Sequence, residues 1–479
     1  MKTSISENRL DRIARYFDAL APERDAWIER NSYFHEEDAK YMRFLIPENS
    51  SVLEIGCGTG QLLAALKPSR GVGIDLSQGM VDHARNNHPE LVFETGDVMN
   101  PDVLKKIGGP FDYVVISDTI GLFEDCQAAL SAVQAACDRD TRIVIAFYGY
   151  HWDPILKLGS WLGTKMPQPE QNWLAPADIG NLLELADFDV VGWEWRQLAP
   201  KRLGGLGPLI NRFIATLPLV RRLCLRNYVV ARSARDLTLK NLSASVLIPC
   251  RNEKGNIEPA VTRLPKFCKD LEIVFIEGHS QDGTYEECLR VQEKYANQKI
   301  QVLRQTGIGK GDAMRAGYDA ATGDVLIILD ADLTVPPEDI PKFYDAIISG
   351  KGEYINGTRL VYPMEGQAMR FLNLLANWGF AKIFTYLVNQ RLTDTLCGTK
   401  VLRRVHYDKI AHNRKYFGDF DPFGDFDLLF GATKLGLKIV EVPIRYRDRQ
   451  YGETQISRFS HGLLLVRMVV LAFFKLKAL

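Results

Sequence analysis

The chain has 479 residues, more than one ordinary hydrophobic core accommodates, so two or three domains are expected. Lysine plus arginine and aspartate plus glutamate number 59 each, a balance that argues against a nucleic-acid binder acting by bulk phosphate neutralisation. The eight cysteines contain no C-x-x-C pair, which argues against a structural zinc site or a disulfide framework and fits a reducing compartment.

The N-terminal stretch MKTSISENRLDRIARYFDAL is charged and lacks the apolar core of a signal peptide, and residues 7–45 read as helices. From Ser51 the apolar runs VLEI, GVGI, LVF, YVVIS and RIVIAF alternate with helical stretches, which predicts βαβ units and a parallel sheet. A Pro/Gly/Trp-rich segment (149–176) precedes a helix at 178–187 and strands near 188–196 and 225–232, with Gly204, Gly205 and Gly207 between them. The polar stretch 233–243 reads as a boundary. A second alternation follows, SVLIP, EIVFIE, KIQVLR and DVLIILD, then a helix-rich insert at 366–389, a helix near 426–435 and a strand at 437–445. The expected fold class is therefore α/β: a domain over 1–235 with leading helices, a second over 243–460, and an apolar, basic C-terminal helix over 461–479. No run of about 18 apolar residues exists; the nearest, GLLLVRMVVLAFF, is interrupted by Arg467.

The first chemical phrase is VLEIGCGTGQLL, a strand that ends in Glu54 and runs through Gly56, Gly58 and Gly60 straight into a helix. Glycines there let the backbone turn sharply and let a ligand lie against the main chain. A second strand ends at Asp75, placed to take ribose hydroxyls, and a third is followed by Gly96 and Asp97, placed to hold an adenine amino group. The G-x-G-x-G spacing after an acidic residue differs from the G-x-G-x-x-G of dinucleotide sites, so it suits a ligand without a pyrophosphate. The phrase resembles the class I methyltransferases. The resemblance implies a Rossmann-like sheet over roughly 30–200, S-adenosylmethionine as cofactor, and cofactor contacts at Glu54, Gly56, Gly58, Gly60, Asp75 and Asp97. Asp118 and His151 lie where a base for a hydroxyl acceptor would sit, although a structural or orienting role suits each as well.

The second phrase is DVLIILDADLTVPPED. Asp330 and Asp332 sit two apart where a buried strand ends, so both carboxylates can reach one hard divalent cation, Mg²⁺ or Mn²⁺, that bridges a diphosphate. With SVLIPCRNEKGNI, EIVFIEGHSQDGT and GIGKGDAMRAGYDAATGD around it, the phrase resembles family 2 glycosyltransferases of the nucleotide-diphospho-sugar (GT-A) fold, closest to the dolichol- and polyprenyl-phosphate sugar transferases. The resemblance implies metal contacts at Asp330 and Asp332, and donor contacts at Pro249, Asn252, Glu253, Glu277, Lys310 and Arg449. It places Arg359, Arg370, Asp394 and Lys400 on the acceptor side, and makes Asp425 or Asp427 the base or orienter for the acceptor. Two departures from the family pattern stand out: Gly278 replaces a second carboxylate after Glu277, and Gln455 replaces a lysine after Arg449.

The whole chain thus resembles bacterial fusions of a class I methyltransferase with a family 2 glycosyltransferase. That implies inverting sugar transfer from a nucleotide-diphosphate sugar to a lipid-linked or cell-envelope acceptor, plus methyl transfer; the alternative is a glycosyltransferase whose first domain only binds ligand or partner. No nucleic acid is expected as a partner. The expected location is cytoplasmic, peripheral on the inner face of the cell membrane. The tail SRFSHGLLLVRMVVLAFFKLKAL reads either as an interfacial helix with Arg467, Lys475 and Lys477 snorkelling, or as a helix packed on the core, and the basic, apolar segment 209–226 suits the same surface.

Overall fold

The computed structural model describes residues 8–362, 371–418, 424, 426–449, 451–452 and 458–479. It divides into two compact units, Met1–Asp236 with Ala478–Leu479, and Leu237–Lys477.

In the first unit two helices, Arg9–Arg30 and Ser32–Leu45, precede the sheet. Asn8 caps the first by accepting a hydrogen bond from the Leu10 amide at 3.4 Å. Seven strands follow: β1 (Ser51–Ile55), β2 (Arg70–Asp75), β3 (Val92–Thr95), β4 (Tyr113–Ser117), β5 (Arg142–Tyr148), β6 (Phe188–Arg196) and β7 (Arg226–Ser233). Their order in the sheet is β3-β2-β1-β4-β5-β7-β6. The first five pair in parallel, and β7 lies antiparallel between β5 and β6. Both faces are covered, with Leu53, Ile55, Val114 and Ile143 in one core and Val52, Val115 and Val144 in the other. A strand buried on both faces reads as an unbroken apolar run, which is why these strands were visible as text. The strand order reverses between β1 and β4, and a sheet of this kind opens a crevice beyond the carboxyl ends of the strands at such a point.

The second unit has its own seven strands: β8 (Ala244–Cys250), β9 (Leu271–Glu277), β10 (Lys299–Arg304), β11 (Val325–Ile328), β12 (Tyr354–Thr358), β13 (Lys400–Arg403) and β14 (Ile439–Pro443). The order is β10-β9-β8-β11-β13-β12-β14. β13 runs antiparallel to both its neighbours, β11 and β12. β12 and β13 were not expected from the text. They are short and carry Asn, Gly, Thr, Lys and Arg, so neither shows an apolar run; tertiary pairing makes them strands.

The tail forms a helix over Arg458–Ala472 that continues as a π-helix over Phe473–Lys477. Leu465, Met468, Ala472 and Leu476 are buried, whereas Leu463, Val466, Val470 and Phe474 are exposed. The end is fixed by the Tyr416 hydroxyl, which donates to the Lys475 carbonyl at 2.7 Å, and by Lys477 Nζ, which donates to Asn389 Oδ1 at 2.7 Å. Among the described residues no helix is long and apolar enough to cross a membrane.

Candidate active sites

In the first unit the turn after β1 places Gly56, Gly58 and Gly60 at φ of 74°, 53° and 79°, a region that costs most other residues steric energy. The three glycines serve different ends. A Cβ on Gly56 would lie 2.0 Å from Thr119 Oγ1, and one on Gly60 would lie 2.7 Å from the Phe93 ring. A Cβ on Gly58 would meet nothing within 4 Å. A side chain on Gly60 would therefore collide with a packed ring, while Gly58 borders open space.

Asp75, at the end of β2, is held beside this turn. Its Oδ2 accepts from the Gly58 amide at 2.8 Å and its Oδ1 from the Ser77 amide at 3.0 Å, and burial raises its pKa. Asp97 Oδ1 accepts from the Met99 amide at 2.9 Å. A cavity of about 280 Å³ has Gly56, Asp75, Gly96 and Asp97 in its lining, together with Phe34, Tyr148, Trp152, Lys165 and Met166.

Glu54 does not line that cavity. It is 3% exposed, and burial pushes its carboxyl up to about 8, against a backbone hydrogen bond from Leu63 that lowers it. Its Oε2 has no hydrogen-bond partner. Strand alternation puts Glu54 on the face of Val52, inside the core.

Asp118 does line the cavity, at a positive φ of 58°. Its carboxylate is paired with Arg226, a side chain 1% exposed that also donates from Nε to Asp38 Oδ1 at 3.0 Å. Burial raises the Asp118 carboxyl above its ordinary value, and Arg226 works against that. His151 is exposed and lies outside the lining. Sequence reasoning missed the contribution of the leading helices. Arg24 and His35 line the cavity, as does Lys165 from the loop before the helix Pro176–Leu185. Burial, then Arg24, pushes His35 down to about 4, and burial pushes Lys165 down to about 8. Asp25 accepts from Thr59 Oγ1 at 2.7 Å and from Gln61 Nε2 and Asn87 Nδ2 at 2.9 Å, so the first helix is tied to the glycine turn. The signal for this lay in the carboxylates of that helix.

In the second unit four separated segments converge. Arg449 donates from Nη1 to Glu253 Oε1 at 2.7 Å and from Nη2 to Asp332 Oδ2 at 2.8 Å. Asp332 Oδ1 also accepts from the Thr334 amide at 3.1 Å and its hydroxyl at 2.8 Å. Lys310 Nζ donates to Asp330 Oδ1 at 2.6 Å. Burial would raise Asp330, but Lys310, then Lys400 and Arg359, outweigh it and hold the carboxyl below its ordinary value. Glu253 goes the other way: burial raises it against Arg449 and Asn256. The two aspartates, each held by a different cation, are partly exposed, with side-chain exposures of 28% and 17%. Gly398 makes room for the first, since a Cβ there would fall 1.9 Å from Asp330 Oδ2. Paired carboxylates in a partly open cradle kept free of side chain form a donor set that suits a hard divalent cation.

The other residues expected on the donor side lie on β8, β9 and the loops after them. Asn252, at φ 56°, accepts through Oδ1 from the Gln281 amide at 2.9 Å and so joins two loops. Pro249 is partly buried on β8, in register with Ile276. Glu277 is 1% exposed; its Oε1 accepts from the Ser280 amide at 2.5 Å, and its Oε2 forms an ion pair with Arg304 Nε at 3.4 Å.

The acceptor-side expectations need correction at two residues. Asp394 is fully buried and forms a two-pronged ion pair with Arg359, Oδ2 to Nε at 2.6 Å and Oδ1 to Nη2 at 2.7 Å. Burial works against ionisation there, but Arg359 prevails and lowers the pKa to about 2. Asp394 thus positions Arg359 and has no oxygen to offer an acceptor. Lys400, 2% exposed, donates to the Cys397 carbonyl and acts on Asp330 through its charge, away from any open acceptor surface. Asp427 pairs with Arg315 Nη2 at 3.2 Å. Arg370, Asp425 and Gln455 lie outside the described residues.

Comparison with known proteins agrees with this division. Residues 27–192 match the family model described as methyltransferase domain, and residues 245–411 match that of glycosyl transferase family 2. Among curated proteins the chain is similar to a dolichol-phosphate mannosyltransferase of Pyrococcus furiosus, 29% identical over 222 residues, which is 45% of this chain and 60% of that protein. The match thus spans well under two thirds of that relative's length. Among solved structures it is similar to magnesium protoporphyrin IX methyltransferase from Synechocystis with bound SAM, at TM-score 0.34 and 17% identity over 48% of this chain and 100% of that one. It is also similar to glucosyl-3-phosphoglycerate synthase from Mycobacterium tuberculosis in complex with Mn²⁺, UDP and phosphoglyceric acid, at TM-score 0.36 and 16% identity over 49% of this chain and 78% of that one. The chain therefore carries a methyltransferase domain followed by a glycosyl transferase family 2 domain, two transferase domains in one polypeptide.

Proposed function

We propose that this protein is bifunctional. The second unit moves a sugar from a nucleotide-diphosphate donor to a lipid-linked or cell-envelope acceptor, and the first moves a methyl group from S-adenosylmethionine. The observation that carries the sugar-transfer reading is the meeting of Glu253, Asp332 and Arg449, brought together from three distant parts of the chain. Asp330 and Asp332 would hold a divalent cation, which supplies positive charge against the leaving diphosphate. Arg449 binds two carboxylates through one guanidinium, and exchanging them for diphosphate oxygens keeps its bonding charge-assisted. Lys310 sits beside Asp330 on the same side. The acceptor oxygen attacks the anomeric carbon, the nucleoside diphosphate departs, and configuration inverts. Arg359, held by Asp394, is oriented for an acceptor phosphate, which needs no base because it is already anionic.

Methyl transfer asks mainly for in-line positioning, because a sulfonium is already a good leaving group. Asp75 and Asp97 would hold the ribose and adenine ends over Gly56 and Gly58. The alternative reading is a first unit that binds ligand or partner without turnover.

Calorimetry of S-adenosylhomocysteine binding, and of UDP and GDP binding with and without Mn²⁺, tests each half separately. A failed titration removes that half, and a turnover assay with labelled methyl donor decides between the two readings of the first unit. Asp332→Ala is expected to lower sugar transfer at least about a hundredfold, in line with loss of a charge-stabilising group, with S-adenosylhomocysteine affinity unchanged. Transfer at the wild-type rate would refute the metal assignment.

A further inference from the structure

Two segments of the first unit leave large apolar side chains in solvent. Around the helix Asp153–Trp161, Ile155, Leu158, Trp161 and Leu162 are exposed, Trp161 at 80%. Over 203–223, Leu206, Leu209, Leu217, Leu219 and Leu223 are exposed, Leu219 at 89%. The segments adjoin, because the Trp152 indole N–H donates to the Leu223 carbonyl at 2.9 Å. Isolated exposed leucines are ordinary on a soluble protein; a group of this size marks an interaction surface.

Charge says what kind of surface it meets. From Ala199 to Arg226 the chain contains no aspartate or glutamate but six cations, Lys201, Arg202, Arg212, Arg221, Arg222 and Arg226. Arg226 is buried on Asp118 and Arg202 pairs with Glu36; Arg212, which also donates from Nε to the Ala478 carbonyl at 3.2 Å, and Arg222 are exposed among the leucines. Apolar residues flanked by cations with no acid between them complement an anionic lipid surface, where the side chains enter the acyl boundary and the guanidinium groups meet headgroups.

We propose that this face of the first unit docks on the surface of a bilayer bearing anionic headgroups. Ile155 and Lys201 belong to these segments and also line the cavity, so an amphiphile held in the bilayer has a short path to it. The methyl acceptor is thereby assigned to the class of membrane amphiphiles. That assignment rests on the cofactor reading above; the docking does not.

The test is co-sedimentation of the full chain with vesicles of phosphatidylcholine alone or with about a quarter phosphatidylglycerol. The wild type is expected to bind the anionic vesicles preferentially and to release them as salt rises. Leu209→Glu with Leu219→Glu, and separately Trp161→Glu with Leu158→Glu, are expected to weaken that binding at least about tenfold, a conventional loss for removed interfacial area. The milder Leu209→Gln with Leu219→Gln covers misfolding, and S-adenosylhomocysteine affinity is measured for each variant. Val466→Glu with Val470→Glu, in the tail of the other unit, is the reference. Docking is overturned if the wild type shows no preference for anionic vesicles, if the first-unit variants sediment like the wild type, or if only the tail variant loses binding. Should the wild type fail to bind S-adenosylhomocysteine, the cofactor reading and the acceptor class fall, while the vesicle result still decides the docking.

Discussion

Glu54 and Asp330 both sit at the carboxyl end of a central strand, yet their surroundings drive them to opposite protonation states. Burial lifts Glu54 to about 8, with the opposing pull of Arg24 too weak to prevent it; Asp330 faces Lys310 and stays ionised. The folded-state pKa of Glu54 lies above its ordinary 4.5, so the folded protein holds a proton that the unfolded chain releases. Its favourable contribution is complete below about pH 4.5 and is lost as pH rises towards 8, by up to about 1.4 kcal/mol per pH unit. Glu54→Gln is accordingly expected to gain melting temperature over the wild type as pH rises from 5 to 8; parallel pH profiles for the two would contradict the buried, protonated state. Gly398 yields a second prediction. A Cβ there collides with Asp330 Oδ2, so Gly398→Ala should cut sugar transfer by about tenfold or more through misplaced charge, while S-adenosylhomocysteine affinity holds. The text announced Asp330 and Asp332 because they end an apolar strand. It did not announce that Asp394 is spent on Arg359, since a carboxylate and a guanidinium 35 residues apart carry no mark of their pairing.

At the scale of elements, the helix Arg9–Arg30 departs most from its reading in the text. The text gave it only as a charged helix, whereas Asp18 and Asp25 reach the segments that follow β2 and β1. Asp18 accepts from Ser77 Oγ at 2.6 Å and from the Gly79 amide at 2.8 Å, and Asp25 bonds Thr59, Gln61 and Asn87. Asp25→Ala should weaken S-adenosylhomocysteine binding by about tenfold, the cost of hydrogen bonds to a charged group, with little loss of far-UV helix signal. Unchanged affinity would return the helix to a purely structural role. In the second unit β13 makes the same point: Lys400–Arg403 pairs β11 with β12 across the sheet although its sequence reads as a basic loop.

At the scale of the molecule, each unit has its own sheet and its own cores. A ligand that binds only the folded form of one unit stabilises that unit. S-adenosylhomocysteine should therefore raise one calorimetric transition, and UDP with Mn²⁺ another; a single transition moved equally by both would show that the units unfold as one. What the amino-acid order determined was the class and succession of the two α/β units and the strand-end groups Gly56, Asp75, Asp330 and Asp332, because doubly covered parallel strands and the turns that follow them are written in contiguous residues. Only the tertiary structure decided which charges meet: Arg449 with Glu253 and Asp332, and Arg226 with Asp38 and Asp118. Ion pairing depends on a few ångströms between residues far apart along the chain, and no local pattern of residue types records that separation.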